Sequence, residues 1–263
     1  MSLEIVELDE HWQGPAVAYL RRSPYRNAIP LSNLTQLRAR CDVVVAHHNG
    51  EVQGVASHYR DLPFLAITFV AELGPTLLGL LTPLAKRVPS MHERPIITVI
   101  PEQRAVQLAG CAELIEVETE MQMVVEPETL KAQELPSVRR LRAADSSAMS
   151  ELSAAAGLGA FSPEALDNGP AFGAFVDDQL AAMATTRFAT ADVIEIGNIA
   201  THPVHRRQGY AAACTSALVQ ACFTLAPRVY LMVMTNNATA FRLYRNLGFW
   251  PAERFAFVRF RLR

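Results

Sequence analysis

The sequence predicts an α/β (α+β) fold set out twice along the chain, and three observations carry that prediction. Short runs rich in β-branched residues alternate with stretches whose apolar residues recur at helical spacing. A polar segment bracketed by Pro127 and Pro136 divides the chain near its middle. On both sides of it the elements run in one order: helix, hairpin, strand, helix, strand, helix, strand. The expected division is therefore a first domain at 1–127, a linker at 128–137 and a second domain at 138–263.

Each element has a local reason. Residues 10–22 have mixed apolar spacing and end before Pro24, because a proline holds the residue ahead of it out of the α region. In 42–56, DVVVAHHNGEVQGVA, two apolar runs flank Asn49-Gly50, a pair suited to the positive φ angles of a type I′ turn. Residues 66–71 (AITFVA) read as a strand. The leucine-rich stretch 75–87 reads as a helix opening on Pro75, whose missing N–H is no loss in a first turn. Residues 95–100 are a buried strand, 102–112 a helix, and 113–125 an extended run of alternating acids and apolar residues.

The second half begins with a short strand at 138–141 and a helix at 144–156 capped by Asp145 or Ser146. Two strands, 171–176 and 180–188, surround an Asp177-Asp178 turn. An apolar strand at 193–200 carries the single carboxylate Glu195. The helix at 208–225 places Tyr210, Cys214, Ala217, Leu218, Ala221, Cys222 and Leu225 on one face. A strand at 229–234 follows, then a helix at 237–247 capped by Asn237 and ended by Gly248, then a strand at 255–262.

Composition narrows the function classes. The 263 residues are 50% hydrophobic and 19% charged, enough apolar material for a packed core and unlike a disordered chain. A net charge of −2 lacks the basic footprint of nucleic-acid or polybasic membrane binding. Cys41, Cys111, Cys214 and Cys222 form no Cys-x-x-Cys pair and read as reduced, buried thiols of a cytoplasmic protein. The start, MSLEIVELDEHW, carries acids where a secretory signal has an apolar core. The apolar stretch 64–84 is interrupted by Glu72, Gly74, Pro75 and Pro83, against a membrane span. His47, His48 and His58 have no third ligand at metal spacing, so no metal is expected.

The segment 193–211, VIEIGNIATHPVHRRQGYA, carries the chemistry: strand, short basic loop with glycine, then helix. Glycine lets backbone N–H groups approach an anion, and the first helical turn points its unpaired N–H groups and dipole at it. The loop Arg206-x-x-Gly209-x-Ala211 resembles the (Gln/Arg)-x-x-Gly-x-(Gly/Ala) pyrophosphate loop of the GNAT superfamily of acyl-CoA-dependent N-acyltransferases. Downstream, Asn237, Ala240, Leu243, Tyr244, Gly248 and Phe249 resemble its second signature, Asn-x-x-Ala-x-x-Leu-Tyr-x-x-x-Gly-Phe. The resemblance covers 138–263, and IATHP with the loop after it is most similar to the glycine N-acyltransferase-like branch, where a degenerate first half also precedes the working one. Arg207 departs from the usual glycine, and Ala211 stands where glycine is more frequent.

The resemblance implies a tandem GNAT fold, a mixed, mostly antiparallel sheet flanked by helices, whose central parallel strands (193–200 and 229–234) splay to admit acetyl-CoA. It implies direct acyl transfer in a ternary complex from acetyl-CoA to an amine-bearing acceptor, by a monomer or homodimer acting without metal, nucleic acid or membrane. The implied acetyl-CoA-binding residues are Ile199, Ala200, Thr201, Arg206, Arg207, Gln208, Gly209, Tyr210, Ala211 and Asn237. Gly197 is the expected bulge residue, and the Ile199 amide the expected donor to the thioester oxygen. The first half has Glu72-Leu73-Gly74-Pro75 in place of the basic loop and reads as a copy that lost its cofactor site.

Two residues are candidate catalysts. Glu195, flanked by Val193, Ile194 and Ile196 and eleven residues before Arg206, is either the base that deprotonates the amine or a carboxylate paired to Arg187 or facing water. Tyr244, seven residues after Asn237 on the same helix face, is either the acid that protonates the departing thiolate or a half-buried core aromatic. Phe161, Phe172 and Phe175 belong to an acceptor wall or to the core. His202 and His205 flank the loop, tuning phosphate binding or facing solvent. The competing function class is an acyl-CoA-binding regulatory pseudoenzyme without turnover; release of CoA thiol separates the two.

Overall fold

A computed structural model describes residues 3–71, 74–159, 161 and 163–263. In chain order the elements are β1 (Glu4–Glu7), α1 (Glu10–Leu20), α2 (Ala28–Leu34), β2 (Cys41–His48), β3 (Glu51–Tyr59), β4 (Leu65–Ala71), α3 (Pro75–Arg87), β5 (Ile96–Pro101), α4 (Glu102–Leu108) and β6 (Ala112–Val125). The second series is β7 (Val138–Arg140), α5 (Ser146–Ala156), β8 (Ala171–Val176), β9 (Gln179–Ala189), β10 (Ile194–Thr201), α6 (Tyr210–Phe223), β11 (Val229–Met234), α7 (Ala238–Asn246) and β12 (Trp250–Leu262).

The chain folds into two compact units whose bounds differ from the expected ones. The first is Met1–Glu120 with Glu253–Arg263, and the second is Met121–Ala252. In the first, strands β1 to β5 lie side by side in sequence order and β12 follows β5. β12 pairs antiparallel with β5, from Phe255 opposite Pro101 to Phe260 opposite Ile96. In the second the order is β7, β8, β9, β10, β11, and then β6 beside β11. Each unit is thus closed by the last strand of the other half of the sequence.

The cores follow the same assignment. Ala256, Val258 and Phe260 are buried with Ile67, Leu77, Leu80 and Leu84 of the first unit. Met123 and Val125 are buried with Ile194, Leu218 and Leu231 of the second. The segment 128–137, expected as a linker, lies inside the second unit. There Leu130 packs on the core, Lys131 N donates to Leu247 O at 2.9 Å and Gln133 N to Ser216 Oγ at 3.0 Å.

The local signals behave as their chemistry demands. Asn49 (φ 51°) and Gly50 (φ 83°) form the β2–β3 turn, and Asp177 (φ 47°) and Asp178 (φ 62°) the β8–β9 turn; Asn and Asp tolerate the left-handed region better than most side chains. α3 spans its predicted residues, whereas the helix predicted over 102–112 stops at Leu108 in a turn through Gly110. β1 and α2 are additional to the predicted elements. Of the first-half loop, Glu72 and Leu73 lie outside the described residues. Cys41, Cys214 and Cys222 are buried free thiols whose proton affinity burial raises to a pKa of about 12, which leaves them unreactive at neutral pH.

The swapped strands make a residue three from the C-terminus a core residue of the first unit. Phe260→Ala should cost that unit about 3–5 kcal/mol. In a Trp250→Phe background, the buried Trp12 reports on the first unit alone, and urea unfolding followed by its fluorescence should show the loss. Hydrogen exchange of α6 amides should be unchanged; a loss confined to α6 would contradict the strand assignment.

Candidate active site

The site is built where β10 leaves β11. The two strands are parallel, and their register holds for Ile194 opposite Val229 and Glu195 opposite Tyr230. β10 runs on to Thr201 and β11 to Met234, so beyond the paired end the strands diverge. On its other side β10 pairs with β9 and shifts register between Gly197, opposite Thr185, and Ala200, opposite Met183. Three steps on one strand against two on the other make a bulge of Asn198 and Ile199. The left-handed residue is Asn198 (φ 47°), not the expected Gly197, and its Nδ2 donates to Thr185 Oγ1 at 3.0 Å. Gly197 has a different duty: a Cβ there would lie 2.6 Å from Arg187 Cδ, so glycine leaves the lane in which Arg187 lies.

After Thr201 a 3-10 turn, Pro203–His205, leads into the basic loop. Arg206 is exposed, and its Nε reaches back to Thr201 O at 3.5 Å. Arg207 takes φ 67° and Gly209 φ 85°, two left-handed residues that turn the chain into α6. Arg207 therefore adopts the backbone for which glycine is the usual choice. Gly209 is the N-cap, so α6 begins at Tyr210 rather than at Gln208, with Ala211 also in its first turn. Gln208 and Gly209 are exposed, while Ala200 at the strand end is buried. The rings of His202, His205 and Tyr210 succeed one another at 5.9 and 6.3 Å. His202 Nδ1 is buried with no hydrogen-bond partner among the described residues.

Glu195 sits in the closed part of the strand pair, 3% exposed. The phenol of Tyr230 donates to its Oε2 at 2.5 Å, and Arg187 Nε lies 3.2 Å from its Oε1. Burial raises its proton affinity above the ordinary carboxylate range, and the guanidinium and the phenol pull it back less. The pairing to Arg187 named as an alternative is thus present. Tyr230 was not among the sequence candidates; it is the strand register, with Glu195 opposite Tyr230, that brings it beside the carboxylate.

Asn237 and Tyr244 sit at the two ends of α7. Asn237 is the N-cap, its Oδ1 accepting from Ala240 N at 3.1 Å, and it is exposed. Tyr244 is buried, 7% exposed, with its ring 5.9 Å from that of Phe249. Burial drives its pKa upward, so the phenol keeps its proton. Gly248 (φ 95°) ends the segment, and a Cβ there would collide with the Thr129 carbonyl. Phe161 and Phe175 pack on the core cluster around Met149 and Leu152, and Phe172 on the α6 cluster. Among the described residues no group of three His, Cys, Asp or Glu is placed to hold a metal ion.

Residues 138–249 match the model of the acetyltransferase (GNAT) family. Among solved structures, the chain is similar to a tandem GNAT protein from the clavulanic acid biosynthesis pathway, at 14% identity over 98% of each chain and a TM-score of 0.67. It is similar to a GCN5-related N-acetyltransferase from Kribbella flavida, at 21% identity over 89% of this chain and 94% of that one, TM-score 0.67. A putative GNAT-family acetyltransferase from Novosphingobium aromaticivorans covers 79% of this chain with 88% of its own, at 22% identity and TM-score 0.62. No curated protein matches the chain. The structural likenesses show the fold, a tandem GNAT arrangement.

Two consequences of this geometry are measurable. Relieving the left-handed arginine while adding glycine's extra chain entropy should leave Arg207→Gly more stable by roughly 0.5–1 kcal/mol; a lower melting temperature would contradict the strain. For Glu195, a raised folded-state pKa means a stability contribution present below the unfolded value of 4.5 and lost as pH rises through the folded one. Glu195→Gln removes that loss. Its unfolding free energy relative to wild type should therefore climb as pH rises above about 4.5 in urea titrations; parallel curves would refute the shift.

Proposed function

We propose that the second unit, taking residues 138–249 as a GNAT acetyltransferase domain, transfers an acetyl group from acetyl-CoA to the amine of a small molecule or peptide. The observation that carries this reading is the parting of β10 from β11 immediately ahead of an arginine-bearing loop turned by Gly209 into α6. Parted strands leave backbone groups for amides of a ligand, and the loop with the helix start offers N–H groups, dipole and cations to a diphosphate. In this reading Arg206, Arg207, Gln208, Gly209, Tyr210 and Ala211 hold the diphosphate. Ile199, Ala200 and Thr201 line the acyl-pantetheine arm, with Asn237 offering its amide from the start of α7.

The chemistry removes two protons from the acceptor nitrogen and supplies one to the departing sulfur. Glu195, whose burial raises its proton affinity, takes the proton of the acceptor's ammonium, while Arg187 and Tyr230 hold the carboxylate in place. The freed amine attacks the thioester carbon, and the Ile199 amide steadies the oxyanion that forms. As the carbon–sulfur bond breaks, Tyr244 gives its proton to the thiolate. The nitrogen, cationic in the adduct, sheds its second proton to the Tyr244 phenolate, so the products are an amide, free CoA and a protonated Glu195 that releases its proton to solvent. A small acceptor, as the glycine N-acyltransferase-like resemblance of the loop suggests, and a cytoplasmic monomer or homodimer complete the reading. The first unit takes no part in acyl transfer.

Mixed with acetyl-CoA and a panel of small amines, the protein should release thiol that a colorimetric reagent detects. Tyr244→Phe should lower kcat by about a hundredfold or more while calorimetric CoA affinity stays within about twofold. Unchanged kcat removes Tyr244 as the acid. CoA binding without thiol release from any amine leaves a binding module in place of an enzyme.

A further inference from the structure

The first unit repeats the parted strand pair. β4 and β5 are parallel, in register at Leu65 opposite Ile96 and Ala66 opposite Ile97. β4 continues to Ala71 and β5 to Pro101. The opening holds a cavity of about 310 Å³, walled by Thr68, Phe69 and Val70 of β4 and by Val99 and Pro101 of β5. The α1–α2 corner and the first turn of α4 contribute three guanidiniums, Arg22, Arg26 and Arg104, and β12 contributes Glu253.

The charges are unevenly committed. Arg26 is held by Glu253 through both fork nitrogens, at 2.7 and 3.0 Å. Arg22 lies 5.5 Å from the Tyr19 ring centroid, and among the described residues neither Arg22 nor Arg104 is paired with a carboxylate. Thr68, the polar residue of the strand wall, is already tied to Ser57 Oγ at 2.7 Å and Asn33 Nδ2 at 3.2 Å. Alongside Tyr19, Ser23, Asn27 and Gln103, the cavity offers two guanidiniums not engaged by a carboxylate among the described residues and an apolar stretch of strand wall. A ligand that answers both has an anionic head and an apolar body.

We propose that the first unit binds a small organic carboxylate, its head between Arg22 and Arg104 and its body against Phe69, Val70, Val99 and Pro101. Guanidinium forks match a planar carboxylate. Glu253 at the same mouth repels a second negative charge, which favours a monoanion over a phosphate dianion. The volume of about 310 Å³ lies at the low end of small-molecule pockets, roughly 300–1,000 Å³, and suits a small ligand. The site is distinct from the basic loop of the second unit, and the proposal stands whether or not that unit transfers acyl groups.

Calorimetry on the full chain tests it, with phenylacetate and inorganic phosphate as probes. Phenylacetate should bind saturably, and Arg22→Gln and Arg104→Gln should each weaken it by about tenfold or more, with unchanged circular dichroism. In parallel, the backbone amide signals of Val70 and Val99 should move as phenylacetate is added. No saturable heat at about 10 mM phenylacetate overturns the proposal. So does binding that survives both substitutions, or phosphate binding at these arginines as tight as that of phenylacetate.

Discussion

The second unit depends on a buried carboxylate at the last registered pair of β10 and β11, beyond which the two strands part. Glu195 is bonded across one side of β10 to Tyr230 of β11 and across the other to Arg187 of β9. Ionised carboxylates are costly to bury unless paired, and a pair broken by a shift of register costs more than the pair contributes. A one-residue slip would turn Glu195 away from both partners and put an isoleucine in its place. The network therefore fixes the register of the parallel pair, and with it the point at which the strands part.

The backbone beyond that point is held in conformations that few residues adopt unaided. Asn198, Arg207 and Gly209 all take positive φ within twelve residues. Such conformations persist where the surroundings over-determine them, and they gather at working sites. Here the determinants are visible. Thr185 holds Asn198 by its side chain, Gly197 is small so that Arg187 can cross it, and the Thr201 carbonyl receives Arg206. The bulge and the loop are consequences of one side-chain network continued along one strand.

How legible this was in the sequence depended on range. Features decided by neighbours were readable: the Asn49-Gly50 and Asp177-Asp178 turns, the Asn237 cap, the Gly248 stop and the bounds of α3. β1 has four residues and α2 seven with Pro30 in its first turn, too short for a period to show. The exchange of closing strands was unreadable for a different reason. Alternation along β6 and β12 says which residues face a core, not which core, and the two halves offer similar apolar faces. The polar, proline-bracketed 128–137 suggested a linker because composition reports solvent contact; it does not report that Leu130 and the Lys131 and Gln133 amides find partners in the second unit. Glu195 was found as a singular carboxylate in an apolar run, but Tyr230 lies 35 residues away and only the register joins them.

The parted parallel pair occurs in both units, but the glycine-turned basic loop ahead of the next helix occurs in the second. Both units open a parallel pair after two registered residues. In the second, the helix that follows begins at Tyr210, behind a left-handed glycine and two arginines, with its first N–H groups available. In the first, Gly74 is also left-handed at φ 92°, but the helix begins at Pro75, which has no N–H to give. Removing that donor, with no cation at Gly74 or Pro75, takes from the helix start what makes it attractive to a diphosphate. The cations of the first unit's opening stand at the α1–α2 corner and on α4 instead. The first unit's opening thus carries its cations away from the helix start, beside a cavity walled in part by Phe69, Val70 and Val99.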